Sequence, residues 1–372
     1  MSPDLRNLTW PALLGLACGE PAVAPPAEWH LSERPVLTIG SEGAAETELH
    51  RVAGAVRLAS GEIAVANEGT SEIRFFGPDG RYLGAFGREG SGPGEFRSMG
   101  RLIRFGDTLA VHDSRTSRLT ILRGTRLLET RPVRTSHAAQ RVSIVERLPD
   151  GRWVGVTSIS PRFAPQPYRD SIAVGILPES ADGEVLWLGW FPGPWIASIE
   201  GKVTGLAGFF TWVYTTVAGA RVVVLDGDQE RLRRFSPAGA ELPGGGIVIH
   251  GEPLTPDVVA RAKQRELGPV ANDAAARQWL EVKYGSQVLD DRLPAFRGLR
   301  ADARGLLWLE GYRADESEAG RYFVFSADAR QVATLAVPGG FRATDIGADY
   351  VLGVTTDADG VERVALYRLT RS

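Results

Sequence analysis

The stretch that decides the fold is residues 55–86, AVRLASGEIAVANEGTSEIRFFGPDGRYLGAF. It contains four short apolar runs, and turn sequences such as ASGE (59–62) and GPDG (77–80) separate them. Glycine supplies the backbone angles of tight hairpins, and Pro-Asp-Gly is typical of a turn. The stretch therefore predicts four short strands joined by hairpins.

Units of this kind recur along the chain with drift. They lie at 101–128, 143–188, 212–239, 298–335 and 343–369. Repeats of about 40–45 residues with four strands each are typical of propeller blades. A single four-stranded sheet leaves both faces apolar, whereas blades stacked in a ring bury each face against a neighbour. The sequence predicts an all-β protein, a six-bladed β-propeller over residues 35–372.

The last unit is one strand short, and residues 35–39 (PVLTI) can supply the missing strand. Pairing the two ends of the chain in this way closes the ring and removes exposed sheet edges. One segment, 254–285, is helical in pattern, with Thr255 as N-cap and Pro256 at the first position. It predicts a helical insertion between blades 4 and 5.

The N-terminus resembles a bacterial lipoprotein signal. Cys18 is the only cysteine, and it ends a short apolar run from Leu8 to Ala17. We interpret residues 1–18 as a lipoprotein-like signal peptide and 19–34 as a Pro/Ala linker. Cys18 is the predicted lipidation site, which would hold the protein by a lipid anchor on the periplasmic side of a bacterial membrane.

The repeats resemble the NHL-type propellers, and in particular bacterial six-bladed propellers of unknown function. The resemblance covers about residues 35–370 and is most specific at Gly84–Gly87 followed by Gly90–Phe96, a Gly-rich link between blades. It implies a binding scaffold, usually for protein, peptide, sugar or RNA. It implies no activity, because one fold serves many functions.

Composition and motifs exclude several function classes. The net charge of −3 gives no reason to expect nucleic acid as a partner. The Gly-rich stretch 89–95 lacks the Gly-Lys-Ser/Thr ending of a phosphate loop, and no Gly-x-Ser-x-Gly nucleophile motif occurs. We predict no cofactor and no catalytic residue.

Four polar residues fall on comparable strands of different units and are weak candidates for metal ligands: Asn67, Asp113, Asp226 and Glu310. The alternative interpretation is that they cap turns or bind backbone amides. If they hold a metal, the protein is a metal-dependent hydrolase or lyase, similar to a lactonase, which uses the propeller channel.

The aromatic residues Trp190, Phe191 and Trp195 surround a Pro-Gly-Pro sequence and are the candidate partner-binding residues, since tryptophans on loops are typical interface anchors. With the anchor, they favour a membrane-anchored binding or scaffold protein. It would serve a protein partner at the membrane surface, for example as an accessory subunit of an electron-transfer or photosynthetic assembly. A glycan or peptide binder without catalysis is a further alternative.

Overall fold

The structure is a computed structural model. It describes residues 25–40, 43–133, 136–137, 140–159, 164–180, 183–199, 202–206, 209, 212–228, 231–247, 249–268, 272–285, 292–313 and 315–371. The predicted signal peptide and Cys18 lie outside these residues.

The described chain is nearly all β-structure. Two short strands come first, β1 (Ala27–Leu31) and β2 (Leu37–Ile39). Four sheets of antiparallel strands in sequence order follow. Sheet 1 holds β3 (Val52–Arg57), β4 (Ile63–Asn67), β5 (Glu72–Phe76) and β6 (Tyr82–Phe86). Sheet 2 holds β7 (Met99–Phe105), β8 (Thr108–Asp113), β9 (Arg118–Arg123) and β10 (Arg126–Pro132). Sheet 3 holds β11 (Ser136–His137), β12 (Gln140–Arg147), β13 (Trp153–Thr157), β14 (Tyr168–Leu177), β15 (Leu186–Ile199) and β16 (Lys202–Leu206). Sheet 4 holds β17 (Tyr214–Ala218), β18 (Arg221–Leu225), β19 (Arg231–Phe235) and β20 (Glu241–Gly246).

Two helices and seven strands complete the order. The helices are α1 (Pro256–Leu267) and α2 (Ala274–Gly285). The strands are β21 (Phe296–Ala301), β22 (Leu307–Gly311), β23 (Gly320–Phe325), β24 (Gln331–Val337), β25 (Phe341–Ile346), β26 (Tyr350–Thr356) and β27 (Glu362–Thr370). Together with β1 and β2, these strands form one nine-stranded sheet, here called the seam sheet.

The seam sheet joins the two ends of the chain. The predicted strand at residues 35–39 is present as β2, which pairs antiparallel with β27. The sequence did not predict β1, which lies inside the predicted linker 19–34, runs parallel to β24 and also pairs with β27. Its anchor is Trp29, which is buried against Trp308 with ring centroids 5.5 Å apart. One aromatic residue in a Pro/Ala-rich stretch has no periodicity, so the strand gave no sequence signal.

The turns and caps follow local chemistry. Gly80 in the GPDG turn adopts φ +83, which is left-handed backbone that favours glycine. Thr255 accepts a hydrogen bond from the Val258 N–H at the start of α1, as its sequence position predicts.

The core lies between successive sheets. One apolar cluster joins Phe75 of sheet 1 to Leu109 of sheet 2, and comparable clusters join the following sheets. Another packs Val324 of β23 against Val351 of β26, inside the seam sheet. A further cluster joins Val65 of β4 to Leu352 of β26. Each sheet thus buries both faces, which a single sheet cannot do alone.

One strand of each four-stranded unit surrounds an axis; it is the first strand of the unit, and in sheet 3 it is β12, which follows the two-residue strand β11. We call these the first strands. Strand β3 contacts β7, β7 contacts β12, β12 contacts β17, β17 contacts β21, and β25 contacts β3. Arg342 at the start of β25 donates to the Val52 carbonyl at the start of β3, and the Arg57 N–H at the end of β3 donates to Asp345 near the end of β25. These strands therefore run in the same direction, and we call the end at which they begin the upper end.

The helices lie at the upper end, because they connect β20 to the beginning of β21. They bind each other through Lys283 and Glu266, with Nζ and Oε1 2.7 Å apart. Tyr284 of α2 packs against Phe209, with ring centroids 5.5 Å apart, and α2 also contacts the long strand β15.

Candidate functional site

A cavity of about 350 Å³ opens in the upper half of the axis. The first strands of sheets 2, 3 and 4 and of the seam sheet contribute to its wall, together with residues of the strands behind them. Its lining consists of Arg101, Val145, Val156, Trp212, Val213, Tyr214, Thr215, Arg297, Gly298, Leu299, Arg300, Trp308, Glu310, Tyr322 and Arg342. A second cavity of about 150 Å³ occupies the lower half, and Arg101 and Arg300 line both. We call the two together the channel.

Four arginines give the upper half of the channel its charge: Arg101, Arg297, Arg300 and Arg342. They stand on first strands, where side chains alternate between the two faces of a strand. Phe296 and Phe341, the residues before Arg297 and Arg342, are buried in apolar clusters. Alternation therefore directs these two arginine side chains away from the apolar layers and towards the axis.

Two of the four arginines have carboxylate partners. Arg101 pairs with Glu146 at 3.1 Å, and Arg297 pairs with Glu310 at 2.7 Å and also with Glu316. In the lower half, Arg104 pairs with Asp345 at 3.1 Å. These contacts balance the charge of each cation within its own surroundings.

Arg300 and Arg342 have no such partner among the described residues. Arg300 donates to the Thr344 carbonyl at 3.3 Å, and Arg342 donates to the Val52 carbonyl at 3.0 Å. A guanidinium offers five N–H donors in a planar fork, so most donors of both residues are unused by protein. The upper channel therefore carries two arginines without an ion-pair partner in the described chain, and the charges of Glu310 and Glu362 act on Arg342 only from beyond ion-pair distance.

The arginines also affect one another. Burial lowers the pKa of Arg101. The charge of Glu146 opposes this shift, and the charge of Arg300 lowers the pKa further. Burial likewise lowers the pKa of Arg342 and Arg300 lowers it further, while the charges of Glu310 and Glu362 oppose this shift. Arg300 is thus close enough to both guanidinium groups for electrostatic repulsion.

Hydroxyl and aromatic groups complete the wall. Thr215 is buried, and its Oγ1 has no hydrogen-bond partner within the described part of the chain. Burial raises the pKa of Tyr214, and Glu310 raises it further, so this phenol stays protonated. The indole of Trp212 is half-buried at the cavity surface. The site thus offers cations, one free hydroxyl and flat apolar surface.

The structure does not bring the four candidate metal ligands together. The described residues contain no group of three or more His, Cys, Asp or Glu side chains that could hold a metal ion. Asn67 accepts from the His50 N–H at 2.7 Å, and Asp113 accepts from the N–H groups of Ser98 and Thr116. Asp226 accepts from the Asp228 N–H at 3.2 Å. Each of these three is bonded to loop backbone of its own unit, and only Glu310 of the four lines the channel.

The three aromatic candidates for partner binding lie in strand β15, which includes the Pro-Gly-Pro sequence. Phe191 is fully buried against Phe235, with ring centroids 6.1 Å apart, so its prediction as a partner-binding residue is wrong. It was misplaced because Pro and Gly suggested a loop, whereas the long hairpin continues through them. Trp190 is 44% exposed, and Trp195 is half-buried.

Sequence reasoning missed the channel arginines. Arg101, Arg300 and Arg342 are far apart in the chain, and each is flanked by apolar residues in the first strand of its unit. The available signal was an arginine between apolar residues in the first strand of three different units.

Comparisons with known proteins identify the class of fold. No family model matches the chain, and no curated protein matches it. A member of the DUF4221 family from Bacteroides vulgatus superposes with a TM-score of 0.53 at 9% identity, covering 94% of this chain and 100% of that one. A protein from Bacteroides fragilis that is described as exported gives a TM-score of 0.50 at 12% identity, covering 94% and 98%. A gluconolactonase from Xanthomonas campestris gives 0.45 at 11% identity, covering 94% and 99%.

These likenesses, all far below 25% identity, concern the fold alone. The chain has a nearly all-β, propeller-like fold built from several sheets around an axis. None of the described helices is long and apolar enough to cross a membrane.

Proposed function

We propose that the chain is an exported, NHL-like six-bladed propeller that binds a small ligand in the upper half of its channel. The observation that carries the proposal is the cavity of about 350 Å³. It lies within the size range of small-molecule sites, and its wall combines apolar side chains such as Trp212 and Leu299 with charged groups that can orient a ligand.

The number of blades is part of the proposal. The seam sheet divides into β21–β24 and a second group of β25–β27 with β2, which gives two units of four strands. The apolar cluster between Val324 and Val351 supports the division, because it packs the face of one group against the other. On this account β1 is an additional strand that fastens the two units. An experimental structure with another number of units would contradict it.

Export and anchoring rest on the leader and on the exported Bacteroides fragilis protein of similar fold. We propose that Cys18 carries the lipid and that a protein partner at the membrane contacts Trp190, the most exposed of the three aromatic candidates. Mass spectrometry of the protein from bacterial membranes tests the anchor, and an N-terminus without an acyl group at Cys18 would refute it.

A metal-dependent hydrolase or lyase is the second candidate function. Glu310 supports it, as the one predicted ligand that lines the channel, although its Oε1 already accepts from Arg297 at 2.7 Å. Elemental analysis of the purified protein tests this candidate. A stoichiometric metal that is lost in Glu310→Gln would favour it over simple binding.

The ligand-binding proposal is tested by thermal unfolding of the full chain with a panel of neutral, cationic and anionic small molecules. A ligand at a hundred times its Kd stabilises the folded state by about 2.7 kcal/mol. We expect at least one class of compound to raise the Tm, and the increase to be smaller in Trp212→Leu. Trp190→Leu is the matched control, because this indole lies outside the cavity lining. A panel without any hit, or equal shifts in both variants, would refute a site in the upper channel.

A further inference from the structure

The two arginines of the upper channel that form no ion pair within the described chain indicate the chemistry of the ligand. Burying a charge is costly unless it is paired, and an arginine cannot escape the cost by losing its proton. Arg300 and Arg342 nevertheless stand on the channel wall with one carbonyl contact each. Both side chains are half-buried, so an anion in the channel can reach them and complete their hydrogen bonds.

The molecule provides an internal comparison for Arg342. Arg297 and Arg342 occupy equivalent positions, each following a buried phenylalanine at the start of a first strand. The neighbouring strand β22 supplies Glu310 to Arg297. In the equivalent place β26 offers Val354, which pairs with Arg342 in the sheet register. The position that holds a carboxylate beside Arg297 thus holds an apolar side chain beside Arg342, and Glu310 and Glu362 act on Arg342 only from beyond ion-pair distance.

A third residue, Thr215, also belongs to the wall of this cavity. Thr215 Oγ1 is buried and has no hydrogen-bond partner among the described residues. The Thr215 carbonyl accepts from Arg101 at 3.2 Å, which places this threonine beside the arginine that Arg300 repels. Two guanidinium forks and a free hydroxyl are donors that match the oxygens of a carboxylate or a phosphate.

We propose that the upper channel binds a small oxyanion with two negative charges, a phosphomonoester or a dicarboxylate, through Arg300, Arg342 and Thr215. The charge follows from the two cations without carboxylate partners, since Glu146 and Glu310 already neutralise Arg101 and Arg297. The size follows from the cavity of about 350 Å³. The inference rests on the proposed ligand-binding function and adds the chemical class of the ligand.

The test is calorimetric titration of the full chain with inorganic phosphate, with malonate as a dianionic dicarboxylate and with acetate as a monoanion. We expect phosphate or malonate to bind at least about tenfold more tightly than acetate, and more weakly as the salt concentration rises. Phosphate binding alone would indicate a phosphorylated ligand, and malonate binding alone would indicate a dicarboxylate.

Two variants test the residues. Arg300→Met and Arg342→Met should each weaken binding about tenfold to a hundredfold, as expected for lost charge-assisted hydrogen bonds. Arg330→Met, at an exposed turn of the seam sheet, is the matched control and should bind like the wild type. If one channel variant does not fold, the other and the salt dependence of the wild type still decide the question.

Three results would overturn the inference: neither dianion binds, acetate binds equally well, or both channel variants bind like the control. A neutral compound that raises the Tm through Trp212 while the dianions do not bind would overturn only the ligand class. In that case the proposed function would stand.

Discussion

Arg371, whose side chain is 9% exposed, and the half-buried Arg300 have completely different surroundings. Arg371 at the seam pairs with Asp302 at 2.8 Å, where the carboxylate side chain is 0% exposed. Its guanidinium also lies 4.8 Å from the ring centroid of Trp29, and it donates to the Gly347 carbonyl. Arg300 in the channel has a single carbonyl contact. The comparison teaches that a structural arginine has an ion-pair partner within the chain, whereas an arginine without such a partner is available to a ligand.

The seam should be the most sensitive point of the molecule. Asp302 binds Arg371 and also accepts from the Trp308 Nε1–H and the backbone N–H of Leu306. Asp302→Ala leaves a buried cation and further donors without partners. We expect it to lower the free energy of unfolding by about 3–5 kcal/mol, as measured by urea denaturation. The exposed Asp359→Ala is the control, with a change within about 0.5 kcal/mol. Equal effects of the two variants would show that the seam contact is not structural.

His112 is a buried basic group that carries no charge. Burial lowers its pKa to about 4, against the opposing charge of Asp113, so the imidazole is buried in the neutral form. The folded-state pKa lies below the unfolded value, so the unfolded chain binds a proton first as the pH falls. The contribution of neutral His112 to the free energy of unfolding is therefore fully present above about pH 6.5. It falls by about 3 kcal/mol between about pH 6.5 and pH 4.

Comparing the pH dependence of stability in the wild type and in His112→Leu separates the titration of His112 from that of the carboxylates, because the carboxylates titrate in both proteins. We expect the wild type to lose about 3 kcal/mol more than the variant between pH 7 and pH 4, measured by urea denaturation at each pH. Parallel pH profiles would contradict a neutral, buried His112.

Removing a channel arginine should raise the free energy of unfolding, whereas breaking the seam pair should lower it. Arg300→Met relieves the repulsion of Arg101 and Arg342 and replaces a half-buried charge by an apolar group of similar size. We expect the ligand-free protein to gain about 1 kcal/mol in the free energy of unfolding. Arg330→Met should be neutral. A loss of stability in Arg300→Met would mean that this arginine is structural, like Arg371.

The smallest effect is expected at the exposed indole of strand β15. Trp190→Ala should change the free energy of unfolding by less than about 1 kcal/mol, since the side chain is 44% exposed. Its neighbour Phe191→Ala is the contrast and should cost about 3–5 kcal/mol, because it empties a core position. Thermal unfolding of both variants checks the assignment of surface and core in this hairpin.

Several elements could be predicted from the sequence because their causes are local. The four strands of residues 55–86 follow from apolar runs and turn residues within a few positions of one another. The first helix follows from Thr255 and Pro256. Strand β2 was predictable because the last unit lacked a strand and residues 35–39 had the right character.

The remaining features depend on distant parts of the chain. Strand β1 exists because Trp29 finds Trp308 and Arg371, at the other end of the sequence. The candidate metal ligands had equivalent strand positions, but their bonds to loop backbone were visible only in three dimensions. Phe191 was assigned to a surface because the register of a long hairpin cannot be read from a Pro-Gly-Pro sequence.

The sequence by itself determined the all-β repeats, the turns and the helical segment, since propensity and hydrogen bonding act over a few residues. Only the tertiary structure decided which arginines share the channel and which of them have a carboxylate. Electrostatic energy depends on distance in space and on burial, and Arg101, Arg300 and Arg342 acquire both only when the sheets assemble around one axis.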